Sequence, residues 1–313
     1  MSMRVMIAFV LAIVLLSAGA ATAAGSEDGA PASRPSIVVT TEVLGSVVTD
    51  VVGDVAEVRT LMSGGADPHS WQPSARDSEA IFGADLIVAN GLDLEEGLVS
   101  VLEQAETDGV PVFHAAEHVD LRASAGRDDD PEHHADDGHA AKDPHFWLDP
   151  LAMRDVVLAL DAVMAGTGIE LGDAAALEAG ELEALDAELR EQLAAIPEGQ
   201  RQLVTGHGAL GYFADAYDFE IVGTVVPGLS SSDEPSARDI ADLVQAIREA
   251  GATAVFSDVG TPQAVAEAVA DETGARIVEL EVAQLPEGGS YRDLMRDLAT
   301  TVADALTAQP DHA

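Results

Sequence analysis

Residues 143–150 read Asp143-Pro144-His145-Phe146-Trp147-Leu148-Asp149-Pro150, and residues 67–73 read Asp67-Pro68-His69-Ser70-Trp71-Gln72-Pro73. Both follow Asp-Pro-His-x-Trp with a proline soon after, and both interrupt regular structure. Asp-Pro opens turns, and proline fixes φ while donating no backbone hydrogen bond. Each histidine is therefore presented from a stiff bend, with an indole beside it to limit ring movement. A third histidine lies in Thr205-Gly206-His207-Gly208-Ala209-Leu210-Gly211-Tyr212, a glycine-flanked turn after a short apolar strand. Neutral imidazole is the commonest metal ligand, and zinc accepts nitrogen and oxygen donors in tetrahedral geometry. One such histidine alone reads as a buried or capping residue. The repeated motif shifts the reading to a metal site assembled by folding, with His69, His145 and His207 as ligands.

Around these turns strands alternate with helices. Apolar runs at 36–40, 55–62, 85–89 and 110–113 predict strands, and helical periodicity covers 42–52, 74–82 and 94–104. Asp149 suits a helix N-cap and Pro150 the first turn of a helix reaching about residue 165. Leu177, Leu182, Leu185, Leu189 and Leu193 predict one long helix over 174–195, with no strand beside it in sequence, which reads as a stiff strut. The alternation then resumes, with strands at 202–205, 221–226, 252–257 and 275–280 and helices at 209–216, 236–250, 262–273 and 291–306. Such alternation implies parallel pairing through right-handed crossovers. The expected class is α/β: two parallel-sheet lobes (36–165 and 199–309) joined by a long rigid helix within 166–198. Ligands of open α/β sheets lie outside the carboxyl ends of strands, so the metal site is expected in the inter-lobe cleft.

The 313 residues carry 15 Lys and Arg against 56 Asp and Glu, a net charge of −41, and Lys142 is the one lysine. Such a surface repels nucleic acid and favours a soluble monomer. Arg4, the apolar run 5–16 and Ala21-Thr22-Ala23 have the layout of a secretory signal over 1–24, followed by a polar linker over 25–35. The apolar run is too short to span a bilayer comfortably. There is no cysteine, which excludes disulfides, thiolate ligands and a lipid-modified cysteine anchor. The expected location is extracytoplasmic, periplasmic or secreted. Residues 127–143 are acidic, carry His133, His134 and His139, and show no apolar periodicity, which predicts a loop.

The motifs DPHSWQP, DPHFWLDP and TGHGALGYFADAY, with GLSSSDEPSARDI and AVFSD further on, resemble the metal-specific solute-binding proteins of ABC transporters, and within them the zinc-uptake type of cluster A-I. The resemblance covers essentially the whole chain after the leader. It implies two α/β lobes with metal between them, capture of Zn2+ as transported ligand, and delivery to a membrane permease without turnover. Manganese-carrying members typically have a carboxylate at the third position, where this chain has His207, and three imidazoles suit zinc better than manganese. The acidic loop stands where zinc-type relatives carry a similar insertion, either for weak zinc capture or as a solvated tether. Many relatives also place an aspartate after the last strand of the second lobe. Here that region reads Val278-Glu279-Leu280-Glu281-Val282-Ala283-Gln284-Leu285-Pro286, with none. The fourth ligand is then expected to be Asp258, which follows Ala254-Val255-Phe256-Ser257, with Glu281, Glu279 or water as alternatives.

Two other functions fit the same donors. A secreted zinc hydrolase would use three histidines with Asp258 or Glu281 as base, but neither H-E-x-x-H nor G-x-S-x-G occurs. A metal-binding adhesin on the same fold is not separable by sequence. Trp71 and Trp147 read as covers over the site, Tyr212 and Phe213 as core anchors, His114 and His118 as surface or capping residues, and His312 as part of the tail.

Overall fold

The computed structural model describes residues 34–123 and 142–308. The first lobe runs β1 (Ser36–Val39), α1 (Glu42–Val52), β2 (Glu57–Thr60), α2 (Ala75–Phe82), β3 (Leu86–Ala89), α3 (Val99–Thr107) and β4 (Val112–His114). Two long helices follow, α4 (Pro150–Thr167) and α5 (Ala174–Leu193). The second lobe runs β5 (Gln202–Thr205), α6 (Gly211–Tyr217), β6 (Glu220–Thr224), α7 (Ala237–Ala250), β7 (Ala254–Ser257), α8 (Gln263–Thr273), β8 (Arg276–Glu279) and α9 (Tyr291–Thr307). Both sheets are parallel throughout, ordered β2-β1-β3-β4 and β6-β5-β7-β8. The strand order reverses between β1 and β3 in one sheet and between β5 and β7 in the other, which opens a crevice at their carboxyl ends. The signal segment, the acidic loop histidines and His312 lie outside the described residues.

Local chemistry sets the boundaries. Asp149 caps α4 by accepting from the Leu151 N–H at 2.8 Å, with Pro150 in the first turn. Ser74, Ser236 and Ser290 each form a capping box with an aspartate three residues on, opening α2, α7 and α9. The helix expected from residue 94 begins only at Val99. Gly91, Leu92 and Asp93 all take positive φ, at 89°, 56° and 54°, and the irregular turn they open continues to Leu98.

The long helix is not a lone strut. Leu182, Leu185, Leu189 and Leu193 are buried as the periodicity requires, whereas Leu177 is 69% exposed. Helix α4 packs beside α5 as a hairpin, and α9 lies along its other flank through Arg292–Glu178 and Arg296–Glu188 ion pairs. The start of α9 also reaches the first lobe, where the Tyr291 N–H donates to Ser46 Oγ at 3.0 Å. Alternate residues of β1 (Ile37, Val39) and β3 (Leu86, Val88) face one apolar core together with α1, α4, α5, α6, α9 and with Leu203, Ala254 and Phe256 of the second sheet. Helices α2 and α3 cover the outer face of the first sheet, and α7 and α8 that of the second. The lobes thus share one continuous core.

One buried carboxylate belongs to this framework. Glu95 accepts from the Thr40 hydroxyl at 2.5 Å and the Asn90 N–H at 2.7 Å, joining the ends of β1 and β3. Burial raises its pKa above the ordinary glutamate range.

Two outcomes are expected. Leu182→Ala should destabilise by about 2–5 kcal/mol in chemical denaturation, whereas Leu177→Ala should stay within about 0.5 kcal/mol. A carboxyl whose folded pKa is raised favours the fold below its unfolded pKa and loses that contribution as pH climbs through the folded value. The stability difference between Glu95→Gln and the parent should therefore move in favour of glutamine as pH rises from about 4 to about 7, as read from melting temperatures.

Candidate metal centre

The Asp-Pro-His motif folds the same way twice. Asp67 Oδ1 accepts from the His69 N–H at 3.0 Å, and Asp143 Oδ1 accepts from the His145 N–H at 3.0 Å. The aspartate side chain thus closes a turn over the proline and fixes the backbone that carries the ring. Asn90 steadies the second copy by donating its side-chain amide to the Pro144 carbonyl at 3.0 Å. His207 follows β5 directly, its carbonyl accepting from the Thr205 hydroxyl at 2.7 Å and its successor Gly208 donating to the Gly228 carbonyl at 2.9 Å. Gly206 is required here: a Cβ on it would stand 1.9 Å from Thr261 Oγ1 and 2.2 Å from Asp258 Oδ1.

These three turns bring three rings together. His69 Nε2 and His207 Nε2 each lie 3.3 Å from His145 Nε2, and the ring centroids are 5.1 to 5.7 Å apart. All three side chains are buried, and among the described residues they form the one group of three or more metal-ligating side chains within reach of a common ion. Each outer nitrogen faces a carboxylate. Asp143 Oδ1 lies 2.8 Å from His145 Nδ1, Asp258 Oδ2 lies 2.9 Å from His207 Nδ1, and Glu96 Oε1 lies 3.5 Å from His69 Nδ1. An ionised carboxylate only accepts, so the 2.8 Å contact with Asp143 puts the proton of His145 on Nδ1 and turns its Nε2 lone pair inward. Burial, then the neighbouring His145 and His207, push His69 down to about 3. Burial also lowers His145, with Asp143 pulling in the opposite direction. Three converging imidazole nitrogens are a donor set that suits a cation.

The fourth position differs from expectation. Asp258 does not stand with the three Nε2 atoms; it lies behind His207, its second oxygen taken by the Thr261 hydroxyl at 2.5 Å. Its place after β7 puts it at the strand end but on the outer side of the ring. Glu279 at the end of β8 and Glu281 just beyond it are exposed and also lie outside the group. Burial, the Glu279 charge and the Asp258 charge together raise the Glu281 pKa.

Other readings divide. Trp147 covers the site, with its ring 5.1 Å from that of His145 and its Nε1 donating to the Val282 carbonyl at 2.7 Å. Trp71 instead packs with the apolar cluster under α2 and α3. Phe213 is a core residue, and the Tyr212 hydroxyl donates to the Asp143 carbonyl at 3.2 Å. His114 pairs with Glu106 at 2.8 Å, and exposed His118 stacks on Phe113. The sequence reading passed over Asp67, Glu96 and Asp143. For Asp67 and Asp143 the signal was present, since an aspartate two residues before a ligand can reach both its N–H and its ring.

The family model described as zinc-uptake complex component A, periplasmic, matches residues 37–305. Zinc-binding protein TroA of Treponema pallidum (strain Nichols) is 29% identical over 297 residues, covering 94% of this chain and 91% of that protein. Manganese-binding lipoprotein MntA of Halalkalibacterium halodurans is 28% identical over 304 residues, covering 95% of this chain and 96% of that protein. The solved structure of the periplasmic zinc binding protein TroA from Treponema pallidum superposes with a TM-score of 0.74 at 26% identity, over 88% of this chain and 100% of that one. The lipoprotein name of MntA departs from the expectation of an unanchored protein, although the present sequence holds no cysteine. With two parallel lobes, three converging imidazoles and a match over residues 37–305, the chain belongs to the family of the zinc-uptake complex component A, periplasmic.

Proposed function

We propose that this protein captures Zn2+ outside the cytoplasm and hands it to an ABC-type permease in the membrane, with His69, His145 and His207 as ligands. The observation that carries the reading is the spacing of the Nε2 atoms. Zinc–imidazole bonds of about 2.0–2.1 Å at tetrahedral angles separate two ligand nitrogens by about 3.3–3.4 Å. The two closest Nε2 pairs here are each 3.3 Å apart. An all-imidazole donor set also favours zinc over manganese, which prefers oxygen. Relatives named for zinc and for manganese share the fold, so the donors rather than the fold support the choice. Water or Glu281 completes the shell, and Asp143, Asp258 and Glu96 hold the rings from outside.

The family membership favours transport over the hydrolase reading. Asp258, one candidate base, is engaged by His207 and Thr261. No helix among the described residues is long and apolar enough to cross a membrane.

His145→Ala should weaken zinc binding by at least about a hundredfold in chelator competition, with an unchanged far-UV spectrum, because a ligand is lost and little core volume. Zinc at about a thousand times its Kd should add about 4 kcal/mol to the stability of the parent protein, read as a higher melting temperature, and much less to the variant. Glu281→Gln separates the shell alternatives: zinc-edge X-ray absorption should show one fewer carboxylate oxygen if Glu281 binds and an unchanged spectrum if water does. Failure of the parent protein to bind zinc more tightly than manganese in direct competition would overturn the metal assignment.

A further inference from the structure

Two serines of the second lobe reach the carboxylates that hold His69 in the first. The Ser231 hydroxyl donates to Asp67 Oδ2 at 2.6 Å, and the Ser230 hydroxyl donates to Glu96 Oε1 at 2.7 Å. Asp67 is the residue whose other oxygen takes the His69 N–H, and Glu96 Oε1 is the atom facing His69 Nδ1. The serine segment is itself anchored to the turn of His207, since Gly228 accepts from the Gly208 N–H at 2.9 Å and the Val226 N–H donates to the Gly206 carbonyl at 2.8 Å. Ser231 is 9% exposed, although it belongs to no helix or strand.

The surrounding backbone makes room for this contact. Gly260 adopts φ +88°, and a Cβ there would stand 2.6 Å from Ser231 Cβ and 3.3 Å from Asp67 Oδ2. The turn between Asp258 and Thr261, which supports His207, thereby accommodates the pair that supports His69. A path of protein atoms runs from one ligand to another across the cleft: His69, Asp67 and Glu96, Ser231 and Ser230, Gly228, Gly208, His207. It does not pass through the position where the three Nε2 atoms meet.

We infer that Ser230 and Ser231 are positioning residues that latch the lobes across the cleft, holding His69 in register with His145 and His207 independently of the cargo. The assignment rests on the metal site described above, but its first effect is on the metal-free protein. A hydroxyl donor to a carboxylate makes a charge-assisted hydrogen bond, part-buried for Ser231 and exposed for Ser230. Two of them on one ligand's supports restrain the ring in the empty site and slow its departure from a loaded one. A role confined to loop packing would leave both properties unchanged.

The absence of native cysteine allows two introduced cysteines to be spin-labelled uniquely. Glu103→Cys on α3 and Glu234→Cys in the serine segment report the separation of that segment from the first lobe, both positions being exposed. In metal-free protein, pulsed electron resonance should give a narrow distance distribution for the parent. The Ser230→Ala/Ser231→Ala variant should give a broader and longer one. In the same background, zinc release to a chelator should accelerate about tenfold while the association rate changes less than about twofold. A metal-free distribution that overlays that of the parent overturns the latch, whatever the zinc kinetics. If the parent binds no zinc, the metal assignment fails while the distance measurement still judges the latch. Should the double variant not fold, Ser231→Ala alone supplies the same comparison.

Discussion

Three imidazole nitrogens with their lone pairs aimed at one point repel one another, and the rest of the centre exists to hold them there. Burial lowers the pKa of His69 and of His145, and a carboxylate stands near each outer nitrogen on the side away from the centre. The three carboxylates come from separate parts of the chain: the motif of His145 itself, the loop after β3 and the end of β7. Orientation of the ligands is therefore a property of the whole fold. A ring without its carboxylate would be free to exchange its tautomer and to turn.

Much of this was legible in the residues. The alternation of apolar runs and amphipathic stretches marked the order of strands and helices because parallel strands are buried on both faces and read as unbroken apolar segments. The doubled Asp-Pro-His located two of the three converging rings, since the turn chemistry is local: both aspartates close their turns within two residues. His207 was visible for the same reason, between glycines that the close backbone approach requires. What stayed hidden depends on distance. Asp258 looked like a ligand because it ends a strand, and only the packing of His207 against it places its oxygen on the outer nitrogen. Glu96 looked like one more acid on a helix, whereas the turn ahead of α3 holds it outside the helix and facing His69.

The shared core changes the picture of two bodies on a rod. Helices α5 and α9 both pack against elements of each half, and the apolar cluster runs between the sheets without a break. Large rotation of one half about the other would have to break that packing, which interiors resist because they are close-packed. Movement is easier in the loops at the carboxyl ends of the strands, where the histidines, the serine segment and Trp147 meet. The loops can rearrange while the helices between the sheets stay in place.

His69 and His145 are separated by 76 positions along the chain, and His145 and His207 by 62. In an unfolded chain, bringing such distant rings to one ion costs roughly 4 kcal/mol per loop in closure entropy, before any desolvation. The denatured ensemble is consequently a poor competitor for the cargo, and nearly all the binding free energy falls on the native state. Cleavage through open forms follows their population, which the cargo lowers. A loaded molecule thus outlives an empty one among proteases, and the ion it carries also governs how long its carrier survives.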